Sequence, residues 1–319
     1  MLGYVVQRVV YIVFILALIS VLVFAITQIL PGNVATMILD QYATPESLRA
    51  LEAKLGLDDP YHVQYWRWAS ALLRGDLSKS LIMDQPIGPI LWPALQRSAV
   101  LALLSIVAVT VLGLGLGVLA AVRQNRPLDH AVSAFTFLGI SVPEFFWGIV
   151  LMLVFAGYLR WLPAAGYAPL SEGVWPWLSH LLIPVATLTF TLLAHVSRLT
   201  RSSVLEVLQS PYIRAARAKG LPERVVLVRH ALRNGLLPTI TVLAIDVGWL
   251  IGGIVVVETI FAFPGVGRLL MFAIQRRDLP LLQVTILIVT SVYCLANLAA
   301  DLLYAYVNPR IRYGRAAAA

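Results

Sequence analysis

Roughly six stretches of this chain stay apolar for about 20 residues, the length an α-helix needs to cross the hydrocarbon of a bilayer. They run Val9–Leu30, Ala99–Ala121, Ala131–Tyr158, Leu181–Leu199, Leu237–Phe261 and Leu281–Val307. Their apolar residues are continuous rather than alternating, and a backbone inside lipid must satisfy its own hydrogen bonds. Each run is therefore predicted to be a spanning helix, and the fold class is an all-α integral membrane protein with six transmembrane helices. The fourth run is the weakest, being short and carrying Pro184 and His195. Composition agrees: 60% of residues are hydrophobic and 13% charged, against roughly half and a quarter in soluble domains. Val9–Leu30 is too long for the apolar core of a signal peptide, about 7–15 residues, and reads as a retained first span.

The net charge of +8 is explained by topology, not by nucleic acid. Lysine and arginine concentrate in cytoplasmic connections. One set of connections holds Arg8, Arg123, Arg126, the run from Arg198 to Arg233, and Arg310, Arg312 and Arg315. The opposite set of short connections holds Arg160, Arg268, Arg276 and Arg277. The richer set predicts cytoplasmic termini at both ends. Residues 31–98 then form an external loop, in which Asp40, Glu46, Glu52, Asp58, Asp59, Asp76 and Asp84 balance the basic residues. Thr44-Pro45 opens a short helix there, continued by Leu48, Leu51 and Leu55 and stopped by Gly56. Tyr65, Trp66, Trp68, Leu72 and Leu73 mark a second amphipathic stretch suited to an interface.

Residues 198–236 form the long cytoplasmic loop. It contains Tyr212-Ile213-Arg214-Ala215-Ala216-Arg217-Ala218-Lys219-Gly220, then Arg224, Arg229 and Arg233. Small alanines allow another surface to approach and Gly220 offers a turn. Such a basic segment between spans reads as a docking element for a soluble partner, or as a topology anchor at the lipid surface.

Chemistry-bearing motifs are scarce. The sequence has no phosphate-binding Gly-rich loop ending in Lys-Ser/Thr, no His-Glu-x-x-His, no clustered Cys and His, and no Gly-x-Ser-x-Gly. His62, His130, His180, His195 and His230 are scattered, and the single Cys294 lies in an apolar run as a small packing residue. No catalytic or metal site is visible, and no internal repeat is evident.

Several short motifs occur in a fixed order: Leu30-Pro31-Gly32-Asn33, Leu55-Gly56-Leu57-Asp58 with Gln64-Tyr65, and Arg74-Gly75-Asp76-Leu77 with Ser80. Ser141-Val142-Pro143, Trp161-Leu162-Pro163 with Gly166-Tyr167, and Val257-Glu258-Thr259 follow. Phe263-Pro264-Gly265-Val266-Gly267-Arg268, Asp301-Leu302-Leu303-Tyr304 and Asn308-Pro309-Arg310-Ile311-Arg312-Tyr313-Gly314 complete the set. With these and the Arg-Ala-Ala loop, the chain resembles the permease subunits of bacterial ABC importers of the dipeptide/oligopeptide/nickel class, in particular the first permease with a large external loop. The resemblance covers nearly the whole chain. It implies a type I ABC importer permease fold, a single transmembrane domain over residues 1–319, and a place in the bacterial inner membrane. It further implies a second homologous permease, two cytoplasmic ATPase subunits and an external substrate-binding protein. ATP and Mg belong to the ATPases; this chain is expected to bind no cofactor and to be no enzyme. Peptides or similar small solutes are the implied cargo, with nickel chelates, glutathione and opine or sugar conjugates as alternatives.

The resemblance also places roles on residues. The family's docking motif begins Glu-Ala-Ala and has a Gly after three more residues; Ala215, Ala216 and Gly220 match, Arg214 stands where the general motif has Glu, and Pro238 corresponds to its closing Pro. Arg214, Ala215, Ala216, Arg217, Lys219 and Gly220 are thus the expected ATPase-coupling residues. Pro264, Gly265, Gly267 and Arg268 are the expected external gate loop. Glu144, Asp246, Glu258 and Asp301 are carboxylates in or near spans, where a charge must face a cavity, a partner or the interface. Asp301 is expected to be an interfacial helix partner. Glu258 is read either as a pathway residue or as a structural cap or bridge to a residue such as Arg268. Asp246, flanked by Gly248, Gly252 and Gly253, lines a passage favouring cationic cargo or bonds to the second permease; Glu144 is the other pathway candidate. Two readings from other classes remain: a proton-coupled secondary transporter using the same carboxylates, and an intramembrane hydrolase using Asp246 with Glu144 or His195.

Overall fold

The computed structural model describes residues 2–29, 44–49 and 58–307. Three sets of sequence expectations lie outside them: the Leu30–Asn33 end of the first span, Leu51, Leu55 and Gly56 in the external loop, and the closing Asn308–Gly314 motif. The described chain is helical, without a sheet; its one extended pairing is a bridge between Lys79 and Pro86. Five unbroken helices are long and apolar enough to span a bilayer, and a bent pair makes a sixth if counted as one span. The chain divides into two compact units, the first holding residues 1–96 and 265–294, the second residues 97–264 and 295–319.

In the first unit, α1 (Leu2–Ile29) is apolar on every side and exposes Val13 and Phe14 by more than 60%, as a helix facing lipid does. Helix α2 (Tyr61–Leu73) lies against it: Tyr65 meets Phe24 edge-on with centroids 5.5 Å apart, and Trp68 packs on the same ring. The Tyr65 hydroxyl bonds Ser20 at 2.8 Å. Before α2, residues 45–49 form a helical turn capped by Thr44, whose Oγ1 accepts the Ser47 amide. The start of α3 (Ile87–Val122) contributes Ile87, Leu91 and Ala94 to a core with Val266, Leu269 and Ala273 of α10 (Val266–Arg276). Leu281, Leu282 and Val284 of α11 (Leu279–Val307) complete it.

The second unit is organised around α6 (Val174–Leu208). Its 35 residues extend about 52 Å, against about 30 Å of hydrocarbon, so α6 projects well beyond the bilayer and carries Arg198 and Arg201 on the projecting end. The fourth apolar run, Leu181–Leu199, lies within it. Leu181, Ile183, Leu188, Leu192 and Val196 are buried against Leu101 and Val109 of α3 and against Leu250, Ile254 and Val257 of α9 (Leu237–Ile260). The run is weakly hydropathic because protein surrounds it. Thr187, Ser197 and Thr200 are buried; the Thr187 and Thr200 hydroxyls bond the carbonyls of Ile183 and Val196 one turn back, and Thr200 also reaches the Thr239 hydroxyl of α9 at 3.2 Å.

The third run corrects the sequence expectation of one continuous helix over Ala131–Tyr158. Helix α4 (Pro127–Ser141) stops and α5 (Glu144–Leu151) leaves at 109° to it, continuing as π-turns over Met152–Tyr158. Pro143 has no amide to donate and forces its predecessor out of the helical region; Val142 is extended at φ −115°, ψ 132°.

Candidate functional site

The docking segment folds as a short helix held on its own loop. Helix α7 (Pro211–Ala218) starts with Pro211 in its first turn, where a missing amide costs nothing. Ile213 and Ala216, three residues apart, face inward and pack on Val226 and Ala231, flanked by Val207, Leu208 and Leu227. Val226 and Ala231 belong to α8, which opens at Glu223–Val225, passes through π-turns at Val226–Leu232 and closes at Arg233–Gly235. Gly220 makes the reversal between the two helices at φ +76°, a conformation that penalises any side chain. Asn234 Nδ2 donates to the Tyr212 hydroxyl at 3.0 Å, and Arg217 Nη2 pairs with Glu223 Oε1 at 2.6 Å. The Arg217 hydrogen bonds hold the Glu223 carboxyl below its ordinary range.

This arrangement divides the expected coupling residues. Arg214, Ala215, Arg217, Lys219 and Gly220 are exposed. Ala216 is 8% exposed and does not offer a close approach to another surface, as the sequence reading expected of the segment's small alanines. Its helical spacing from Ile213 turns it into the loop's own core.

The mid-span carboxylates are placed by α5, α6 and α9. Asp246 on α9 is buried; its Oδ1 lies 3.7 Å from Nδ1 of His195 on α6, and its Oδ2 is buried without a hydrogen-bond partner. Glu144, in the first turn of α5, rests its carboxylate against Gly253 of α9. A Cβ there would lie 2.8 and 2.9 Å from the two oxygens, so only glycine admits this contact. Glu258 is fully buried and accepts a hydrogen bond from the Ser98 hydroxyl, so its carboxylate has no exposed surface. Asp301 lies in α11 and is half-buried.

The expected gate loop is tightly built. Ala262 turns the chain after α9 at φ +49°, and the Phe263 amide bonds back to the Glu258 carbonyl at 2.9 Å. Phe261 and Phe263 are buried. Tyr167 meets Phe263 edge-on, Arg97 lies over the Tyr167 ring at 5.0 Å, and Arg97 Nη1 donates to the Pro264 carbonyl at 3.2 Å. Gly265, in extended backbone, precedes α10, whose first turn holds Gly267 and Arg268 in the other unit.

Two further polar contacts were not foreseen. Asp129 in α4, 1% exposed, receives Arg201 of α6 through Nε on one oxygen and Nη2 at 2.8 Å on the other, plus the Asn125 amide. Asp278, fully buried, accepts Ser80 Oγ and the amides of Leu81, Ile82 and Leu281. The Leu281 bond caps α11, and an Asp-Leu-Pro ahead of an apolar run is a readable start signal. Asp129–Arg201 has no such signal, since 72 residues separate its members. Nor does His195–Asp246.

The sequence matches known proteins along nearly its whole length. Residues 113–313 match the family described as the binding-protein-dependent transport system inner membrane component, and residues 1–98 match its N-terminal companion. A probable peptide ABC transporter permease of Sinorhizobium fredii is 38% identical over 97% of this chain and 99% of the relative. The dipeptide transport system permease of Alkalihalophilus pseudofirmus is 36% identical over 98% of this chain and 100% of the relative. The glutathione transport system permease of Salmonella paratyphi A is 36% identical over 98% and 100%. Among solved structures, an amino acid ABC transporter crystallised with histidines shares the fold at TM-score 0.51 and 15% identity, covering 70% of this chain and 94% of that one. The chain therefore belongs to the inner membrane components of binding-protein-dependent transport systems: it is a multi-pass permease subunit of a bacterial ABC importer, not an enzyme.

Proposed function

We propose that this chain forms, with a second homologous permease, the translocation pathway of an ATP-driven importer for peptides or closely related small solutes. Both termini and residues 198–236 face the cytoplasm, and residues 31–98 face outward. An external binding protein delivers cargo, and two cytoplasmic ATPase subunits hold ATP and Mg; this chain binds no cofactor of its own.

The observation that carries this reading is α7. It is a short helix whose inner side is fixed by Ile213 and Ala216 and whose outer side offers Arg214, Ala215, Arg217 and Lys219. A surface knob held rigidly by its own loop is suited to sit in a cleft on an ATPase and to transmit that subunit's movement, a rigid-body switch between two openings. The relatives named for peptide, dipeptide and glutathione transport support amide-linked cargo.

The test is gentle purification of this chain from its native membrane, with ATP hydrolysis assayed with and without the binding protein. Recovery of a second permease and ATPase subunits, with hydrolysis stimulated by the binding protein, is the expected result. The ligand carried by that binding protein names the cargo. An intact complex containing this chain alone would overturn the reading and favour a proton-coupled transporter.

A further inference from the structure

The carboxylates of this chain fall into two kinds. Asp129 and Asp278 are saturated: Asp129 receives a two-pronged guanidinium and a backbone amide, and Asp278 a hydroxyl and three amides. Such groups hold the fold. Asp246 and Glu144 are different. The Asp246 side chain is 10% exposed, and Oδ2 is enclosed with no donor. His195 Nδ1 approaches the other oxygen at 3.7 Å, and the His195 side chain is itself 55% exposed. The Glu144 carboxylate, pressed on Gly253, has no hydrogen-bond partner among the described residues. Two further polar atoms nearby in sequence are also buried without partners: Trp147 Nε1, three residues beyond Glu144, and Thr191 Oγ1, one turn before His195.

Position links the two carboxylates. Asp246 and Gly253 are seven residues apart on one helix, which places them on the same side of α9 about 10.5 Å apart along its axis. One acidic group therefore sits at each of two levels on a single line. In lipid, an ionised group is retained only where something compensates it, and here the compensation built into Asp129 and Asp278 is missing. A primary ammonium, with three donors and a full positive charge, is the group that supplies it.

We propose that Asp246 and Glu144 form a two-step acidic track along α9 that receives the ammonium group of cationic cargo as it crosses, with His195 as the exposed, displaceable neighbour of the first step. The proposal rests on the peptide-importer reading above and adds the cargo chemistry that the membrane-spanning part itself recognises.

The experiment uses the whole importer, this chain with the second permease, the ATPase subunits and the binding protein, in proteoliposomes. Uptake of the tripeptides Ala-Lys-Ala, Ala-Ala-Ala and Ala-Glu-Ala is measured beside ATP hydrolysis. Asp246→Asn is expected to lower Ala-Lys-Ala uptake about tenfold, the scale of one charge-assisted hydrogen bond, while Ala-Glu-Ala stays within about twofold. Glu144→Gln acts in the same direction, and Asp246→Glu restores the lysine preference. Equal loss for all three peptides, or loss for none, overturns the track. So does release of the second permease from the purified Asp246→Asn complex, which would assign the carboxylate to a subunit contact. A wild-type importer that hydrolyses ATP but carries none of the three overturns the peptide reading and the track with it; failure confined to the variants, with wild-type uptake intact, overturns the track alone.

Discussion

Removing Arg201 is expected to damage this permease more than removing the carboxylate it binds. The pair joins α4 to α6 by two parallel bonds, but its members are unequally placed: the Asp129 side chain is 2% exposed and the Arg201 side chain 28%. Without Asp129, the guanidinium can swing to water, and the exposed Asn125 amide is rehydrated, so Asp129→Ala costs about 1–2 kcal/mol of lost bonding. Without Arg201, the carboxylate stays enclosed. A stranded buried carboxylate costs about 3–5 kcal/mol. It can escape only by taking a proton, which from an ordinary carboxylate value costs about 4 kcal/mol at pH 7 and sets the ceiling. The escape gives the effect a signature. In Arg201→Ala the folded state is protonated where the unfolded state is not, so the deficit shrinks by about 1.4 kcal/mol for each pH unit lowered toward 5. The Asp129→Ala deficit has no such slope. Thermal unfolding of the detergent-solubilised permease at several pH values reads both. An Asp129→Ala loss equal to or larger than that of Arg201→Ala, or a pH-independent Arg201→Ala deficit, would refute the argument. The double variant should be no worse than Arg201→Ala, because the stranded charge is gone.

Other perturbations give separate readings. Gly253→Ala drives a methyl into the Glu144 oxygens and should lower thermal stability by about 1–3 kcal/mol; adding Glu144→Ala should recover most of it, and no recovery would place the strain elsewhere. Asp278→Ala leaves three backbone amides without their acceptor and should cost about 3 kcal/mol or more in the same assay, with Ser80→Ala near 1. Ile213→Asp puts a charge into the seat of α7 and should abolish binding-protein-stimulated ATP hydrolysis while the chain still inserts; retained stimulation would count against α7 as the transmitting element. The Arg217–Glu223 pair is exposed, so Arg217→Ala should shift stability by less than about 1 kcal/mol. Because Arg217 depresses the Glu223 value, that small contribution is present above the unfolded carboxylate range, about 4.3, and is lost only at lower pH. Stimulation measured between about pH 6 and 8 should not sense it.

Helix positions were legible because lipid imposes one rule, a long apolar run, and α1, α3, α6, α9 and α11 obey it. Their ends were less so. The sequence places the second span from Ala99, whereas α3 begins at Ile87, since an amphipathic first few turns can pack on protein and need no lipid. The third run misled because apolar composition does not register a backbone break: Ser141-Val142-Pro143 was read as a motif, but its steric consequence, a 109° turn, depends on one missing amide. The docking loop was found from its alanines and its charge, yet which alanine faces outward depended on Ile213, whose role emerges only when Val226 and Ala231 close over it. Asp246 and Glu144 could be singled out as costly residues. Their contacts with His195 and Gly253 could not, because those partners lie on other helices.

The connectivity around α7 explains why a small docking element can act on the centre of the second unit. Helix α6 runs unbroken from Val174 to Leu208, turns at Ser210 and becomes α7. Helix α8 follows Gly220 and enters α9 through Leu236 in helical conformation, where the Ile240 amide bonds the Leu236 carbonyl at 3.0 Å. The two helices that leave the docking loop are therefore α6 and α9, which carry His195 and Asp246. Packed side chains and continuous helices transmit displacement, whereas loops absorb it. With α7 fixed to α8 by Ile213, Ala216 and Tyr212, a pull on α7 has no slack segment in which to dissipate before it reaches those two helices. A two-residue glycine insertion between Leu236 and Leu237 supplies that slack: it should leave the His195–Asp246 region folded and reduce transport per ATP hydrolysed, and undiminished coupling would show that the movement takes another route.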